Sequence, residues 1–236
     1  MSRTDDGTRT PDGAGGDGDG RGGGTGPVTT RTVPTPVGDA RITWHPARAA
    51  RAVLAVSHGA GGGIEARDLV ALAAALPPRG VTVALVEQPW RVAGKKVAPA
   101  PKTLDAGWTA VWPALCAPGL PVVAGGRSAG ARVACRTGAE LGAHAVLALA
   151  FPLHPPGKPE KSRAGELTGT GLPTLVVQGD RDPFGRPGEF PEGTALVAVP
   201  GADHGFAVPR TGAVTQAEAL AQLTGAVGDW LEKILG

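Results

Sequence analysis

Cysteine is scarce in this chain. Cys116 and Cys135 are the only two in 236 residues, too few for a disulfide framework, and both fall in stretches whose patterning predicts helix. They read as small buried apolar residues. No metal-ligand spacing of His, Cys, Asp or Glu occurs. An excess of one charge is also missing: 23 basic and 21 acidic side chains leave a net charge of +2. Such a balance lacks the concentrated basic footprint of a nucleic-acid binder. No apolar run approaches the roughly 18 to 20 residues that span a bilayer, and the N-terminus has no apolar signal-peptide core. The expected location is therefore cytoplasmic, with no membrane span. No cofactor is expected.

Residues 1–26 contain Gly, Asp, Thr and Arg but almost no side chain able to join a core. Ordering them would cost entropy without return, so they are expected to form a disordered tail. Residues 27–236 are expected to form one domain, because 42% hydrophobic content over this length can bury one sizeable core. Val28 to Trp44 alternates loosely and predicts one or two opening antiparallel strands. Beyond it, strands are expected near Val53–Val56, Val81–Val86, Val122–Gly125, Val146–Ala150, Leu175–Gln178 and Leu196–Val199. Helices are expected near Ile64–Leu76, Leu104–Leu115, Ala129–Leu141 and Thr215–Leu235. The strands are continuous apolar runs, which indicates a mostly parallel, doubly wound sheet with helices on both faces. In the last helix Leu220, Leu223, Val227, Trp230, Leu231 and Ile234 recur at three- and four-residue spacing, a stripe for core packing.

Serine is rare too, with four in the chain, yet one of them stands in Gly126-Arg127-Ser128-Ala129-Gly130, directly after an apolar strand. A serine at a sharp strand-to-helix turn is strained towards positive φ, and only residues without bulk fit two positions before and after it. With 38 glycines in the chain, chance gives roughly 0.1 such matches, so the motif counts only in context. That context is supplied by two segments further along the chain. A serine hydroxyl needs a base and a group that orients the base. Leu175 to Gln178 opens into Gly179-Asp180-Arg181-Asp182-Pro183, and Leu196 to Val199 is followed by Asp203-His204-Gly205. Ser, Asp, His is the chain order of the α/β-hydrolase fold.

Ser128 is thus the candidate nucleophile and His204 the candidate general base. Asp182 is the candidate acid, held extended by Pro183, with Asp180 as the alternative; Asp203 lies too close to His204 in sequence to face its ring and reads as a turn former. Val53 to Ser57 leads into His58-Gly59-Ala60-Gly61-Gly62, a loop able to aim backbone N–H groups at an oxyanion. Ala60 and Ala129 are the expected donors, with Gly61 the nearest alternative. His58 is expected to shape that loop. His45 and His144 read as surface or strand-end residues.

The chain resembles the dienelactone-hydrolase-like branch of the α/β-hydrolases. More narrowly, it resembles the family of testis-expressed protein 30 and the hydrolase-like domain of regulatory subunit 3 of the non-specific-lethal chromatin complex. His58–Gly62, Gly125–Gly130, Phe151–Glu160, Gly179–Gly185 and Asp203–Phe206 carry the resemblance, the proline-rich block Phe151–Glu160 most specifically. Ala129 departs from it, since the family usually has a larger residue there, such as Met. The resemblance implies an α/β-hydrolase fold and also points to Asp182.

Phe151 to Gly171, with four prolines and four glycines, stands where many relatives carry a helical cap, so no large cap domain is expected. His154 follows a strand and is a candidate substrate contact, as are Gly61 and Arg127; Lys158, Lys161 and Arg163 read as solvated. Trp90 to Lys96 follows another strand and is placed to line the other side. The expected function is a serine hydrolase acting on an ester or thioester of a small to medium acyl group. The alternatives are a non-catalytic hydrolase-like scaffold and an acyltransferase using the same three residues.

Overall fold

The computed structural model describes residues 26–236; the tail expected over 1–26 lies, apart from Gly26, outside the described residues. Eight strands form one sheet: β1 (Thr29–Val33), β2 (Ala40–His45), β3 (Ala52–Ser57), β4 (Val81–Glu87), β5 (Val122–Arg127), β6 (Ala145–Leu149), β7 (Thr174–Gly179) and β8 (Leu196–Val199). Their order across the sheet is β1-β2-β4-β3-β5-β6-β7-β8. β1 and β2 pair antiparallel, as do β2 and β4, whereas β3 to β8 run parallel. This is the α/β-hydrolase fold, a mostly parallel sheet with helices on both faces.

Burial on both faces explains why the central strands are uniformly apolar. Along β3 the side chains alternate between two cores: Val53 and Ala55 meet α3 (Pro101–Cys116) and α4 (Ala129–Thr137), while Leu54 and Val56 meet α1 (Arg67–Ala75) and α6 (Gln216–Leu235). Leu223, Val227 and Leu231 of α6 are fully buried as the spacing requires, with Ala219 rather than Leu220 completing the stripe. Thr215 caps this helix. Its Oγ1 accepts from the Glu218 amide at 3.2 Å, and its own amide donates to Glu218 Oε2 at 2.8 Å.

Several expected boundaries shift, each for a local reason. The first helix begins at Arg67 rather than Ile64, because the Gly63 amide turns to the Glu65 carboxylate at 3.1 Å. Ala150 leaves the strand, its φ of 44° ending β6 at Leu149. Helix α4 stops at Thr137, before Leu141, and α3 starts three residues earlier than expected, at Pro101. Cys116 is corrected from buried to exposed. It follows Leu115, the last buried residue of α3, and one residue further around a helix points about 100° away from the packed face. Cys135 is buried, and burial pushes its thiol pKa up to about 12.

Two shorter helices, α2 (Pro89–Val92) and α5 (Ala164–Thr168), follow β4 and β6. Phe151 to Gly171 holds only α5 and one 3₁₀ turn, so no cap domain covers that edge. No helix among the described residues is long and apolar enough to cross a membrane.

Candidate active site

The parallel strands all end at one edge of the sheet, and the residues singled out by the motifs gather there. β5 runs straight into Ser128, whose φ of 54° and ψ of −111° turn the chain back into α4. The turn closes because the glycines on either side have no side chain. A Cβ on Gly126 would run into the backbone of Gly130, and one on Gly130 would sit 2.6 Å from the carbonyl oxygen of Ser57. The motif is a packing requirement of strand, turn and helix together.

Ser128 Oγ lies 2.9 Å from His204 Nε2, and His204 Nδ1 lies 2.7 Å from Asp182 Oδ2. Asp182 is fully buried yet well supplied with donors, since Gln178 Nε2 reaches Oδ2 and the Phe184 amide reaches Oδ1, each at 2.8 Å. With the carboxylate accepting from Nδ1–H, the neutral ring leaves Nε2 as the acceptor that faces the serine hydroxyl. Asp180 is exposed and takes no part in this run. Asp203 Oδ1 accepts from the Gly205 and Ala207 amides at 2.8 and 2.9 Å, building the turn that presents His204.

Ala60 and Ala129 line one small cavity of about 10 Å³ together with His58, Trp90, Leu104 and Val133. Among the described residues neither amide has an intramolecular acceptor. Ala129 is the first residue of α4, so its N–H also carries the positive end of a helix dipole. Gly61 is exposed and does not line that cavity. His58 fixes the loop: its Nε2 accepts from the Gln88 amide at 3.1 Å, so Nδ1 carries the proton and donates to the Gly59 carbonyl at 2.9 Å. Burial lowers its pKa and keeps it neutral.

Two candidate contacts are engaged within the protein. His154 has an acceptor on each ring nitrogen, the Pro155 carbonyl at 3.0 Å and Glu189 at 2.7 Å, so its ring ties its own loop to the segment that follows β7. Arg127 points behind the serine. Its Nη2 donates to the His204 carbonyl at 3.0 Å, and its Nε lies 3.6 Å from the fully buried Asp68.

Gln178, Phe184 and Asp68 are not legible as site residues in the chain alone. Phe184 stacks on His204 with ring centroids 4.2 Å apart. For Gln178 a signal exists: a polar residue near the end of a strand otherwise apolar from Leu175 to Val177, four positions before Asp182. Among the described residues no three His, Cys, Asp or Glu side chains are grouped to hold a metal ion.

The family model for the alpha/beta hydrolase domain matches residues 50–232. Among solved structures, a lidless α/β serine hydrolase from Xanthomonas campestris is similar at 21% identity and a TM-score of 0.67, over 87% of this chain and 94% of that one. A dienelactone hydrolase from Anabaena variabilis is similar at 18% identity and 0.67, over 88% and 97%. An α/β serine hydrolase homologue from Coxiella burnetii is similar at 15% identity and 0.67, over 86% and 97%. None of the curated proteins compared matches the chain.

Proposed function

The chain belongs to the alpha/beta hydrolase family, and on that premise we propose that it is a serine hydrolase cleaving a carboxylic ester or thioester of a small to medium acyl group through an acyl-enzyme on Ser128. The observation that carries the proposal is the unbroken hydrogen-bonded run from Ser128 Oγ through His204 to the buried Asp182. A scaffold has no need of a buried carboxylate aligned on an imidazole that faces a strained serine.

In the proposed reaction Ser128 Oγ attacks the carbonyl carbon while His204 Nε2 takes its proton. Asp182 holds the ring in the tautomer that can do so and stabilises the imidazolium that forms. The electron pair displaced onto the carbonyl oxygen is held by the Ala60 and Ala129 amides. Collapse of the tetrahedral adduct expels the alcohol or thiol, which receives the proton from His204. Water, deprotonated by His204, then attacks the acyl-enzyme, and the same two amides hold the second oxyanion until the acid leaves and Ser128 regains its proton. The substrate is a small molecule, and the open edge over Phe151 to Gly171 gives it access without a lid. Within the family we place the chain near testis-expressed protein 30, on the Phe151–Glu160 block.

The test is labelling with a fluorophosphonate and turnover of p-nitrophenyl esters by the purified protein, beside Ser128→Ala, His204→Ala and Asp182→Asn. Labelling and turnover by the wild type are expected, with turnover lowered about 10³- to 10⁴-fold in each variant. A folded wild type that neither labels nor hydrolyses any ester would leave the scaffold reading. Products formed only with an added alcohol or amine acceptor would make it an acyltransferase.

A further inference from the structure

Two cavities lie side by side at the sheet edge that carries Ser128. The small one is lined by Ala60 and Ala129, among others, and amounts to about 10 Å³, room for little more than one water molecule. The other is about 320 Å³ and is lined mainly by apolar groups, among them Val37, Pro89, Val92, Val97 and Pro99. Gln88 and Trp90 are the two residues common to both linings. They are therefore the wall between the cavities.

The wall is fixed in place. Gln88 stands between β4 and α2, its amide held by His58 Nε2 at 3.1 Å and its side-chain Nε2 near the Leu104 carbonyl at 3.4 Å. Trp90, in the first turn of α2, is 6% exposed and packs edge-on against the His58 ring with centroids 5.5 Å apart. The indole supplies the bulk, so its size decides whether the two spaces join.

Which half of an ester enters the small cavity is decided by the proton path. The leaving group must lie at His204 Nε2, beside Phe184, and neither residue lines the small cavity. With the carbonyl oxygen at the Ala60 and Ala129 amides, the group that points into this cavity is the acyl chain. So small a space leaves it almost no length before the Trp90 wall. The larger cavity beyond is apolar and open, and Val37 and Val97, exposed by 38% and 80%, contribute to its lining.

We infer that Trp90 is the specificity-determining residue for acyl size: the intact wall restricts the enzyme to the smallest acyl groups, acetyl foremost, and shortening residue 90 admits long apolar chains into the cavity beyond. This rests on the hydrolase reading of Ser128. A methylene that no longer fits, or newly fits, a binding pocket changes discrimination by about tenfold or more, so the effect is large enough to read.

The experiment compares kcat/KM for p-nitrophenyl acetate, butyrate and octanoate in the wild type, Trp90→Ala, Trp90→Leu and Trp90→Phe, with fluorophosphonate labelling of Ser128 and a thermal melt for each. The expected octanoate-to-acetate ratio is well below one in the wild type, at least about tenfold higher in Trp90→Ala and Trp90→Leu, and little changed in Trp90→Phe. Trp90→Leu keeps a buried apolar side chain, so the comparison survives if Trp90→Ala does not fold. An unchanged ratio in a folded Trp90→Leu, or a wild type that already prefers octanoate, overturns the inference while labelling of Ser128 preserves the hydrolase reading. A wild type that neither labels nor turns over acetate removes both.

Discussion

Arg127 Nη2 donates a 3.0 Å hydrogen bond to the main-chain oxygen of His204. The residue immediately before the candidate nucleophile thereby holds the loop that carries its base. The same guanidinium lies against Gly59, where an added Cβ would be 3.0 Å from Nη1, and its Nε faces Asp68 at 3.6 Å. One side chain thus braces the serine turn, the histidine loop and the oxyanion loop. Asp68 is fully buried in α1, and neither carboxylate oxygen has a hydrogen-bond partner among the described residues. Burial raises its pKa, against the lowering effect of Arg127.

Arg127→Ala is expected to lower kcat/KM for p-nitrophenyl acetate by about 10- to 100-fold, because small displacements of a catalytic group carry costs of that size. Arg127→Lys should recover little, since a point-like ammonium cannot span the three contacts. Breaking a buried pair by removing one partner costs about 3 to 5 kcal/mol. Asp68 is then pushed further towards its neutral form. With a folded pKa above the unfolded one, the loss should grow as pH rises from the ordinary carboxylate range towards the folded pKa. Asp68→Asn in the Arg127→Ala background should restore part of the stability and flatten its pH dependence, as urea titrations from pH 4 to 8 would read.

Gly130→Ala places a methyl group 2.6 Å from the Ser57 carbonyl, and neither backbone can withdraw without opening the turn at Ser128. A loss of about 1 to 3 kcal/mol is expected, together with loss of fluorophosphonate labelling. Gly62→Ala, with no atom within 4 Å of the added carbon, should change stability by less than about 0.5 kcal/mol. Denaturant titration and a labelling gel on the two variants separate a crowded turn from a general intolerance of alanine.

His154 adds to stability through its charged ring. The Pro155 carbonyl and then Glu189 raise its pKa above the ordinary histidine value by accepting from that ring. Its contribution is complete below about pH 6.5, the ordinary value, and disappears as pH rises through the raised folded pKa. Thermal melts of His154→Gln should therefore fall short of the wild type most at pH 5.5 and converge with it towards pH 9. A difference that is constant across that range would mean that the ring stays neutral.

Much of this molecule is legible in the chain alone, because the signals are local. Largely apolar runs of four to six residues mark strands buried on both faces, and the three- and four-residue stripe marks the last helix. The glycines around Ser128 announce a turn that admits no side chain. The order Ser, Asp, His survives translation into space because each comes after a strand of the same parallel sheet.

What the tertiary structure alone decides is which side chains meet across that sheet. Asp180 and Asp182 stand in the same acidic turn, and only the fold of residues 179–185, with Gln178 and the Phe184 amide closing on one carboxylate, brings Asp182 to His204. Arg127 and Asp68 meet because β3 lies beside β5 in the sheet order, and Trp90 becomes a wall because β4 lies beside β3. Cys116 and Cys135 look alike in sequence, yet a single step of helical rotation past Leu115 turns Cys116 out to solvent. Periodicity and turn chemistry fix each element from its own neighbours in the chain; contacts between elements depend on strand order, which no local pattern encodes.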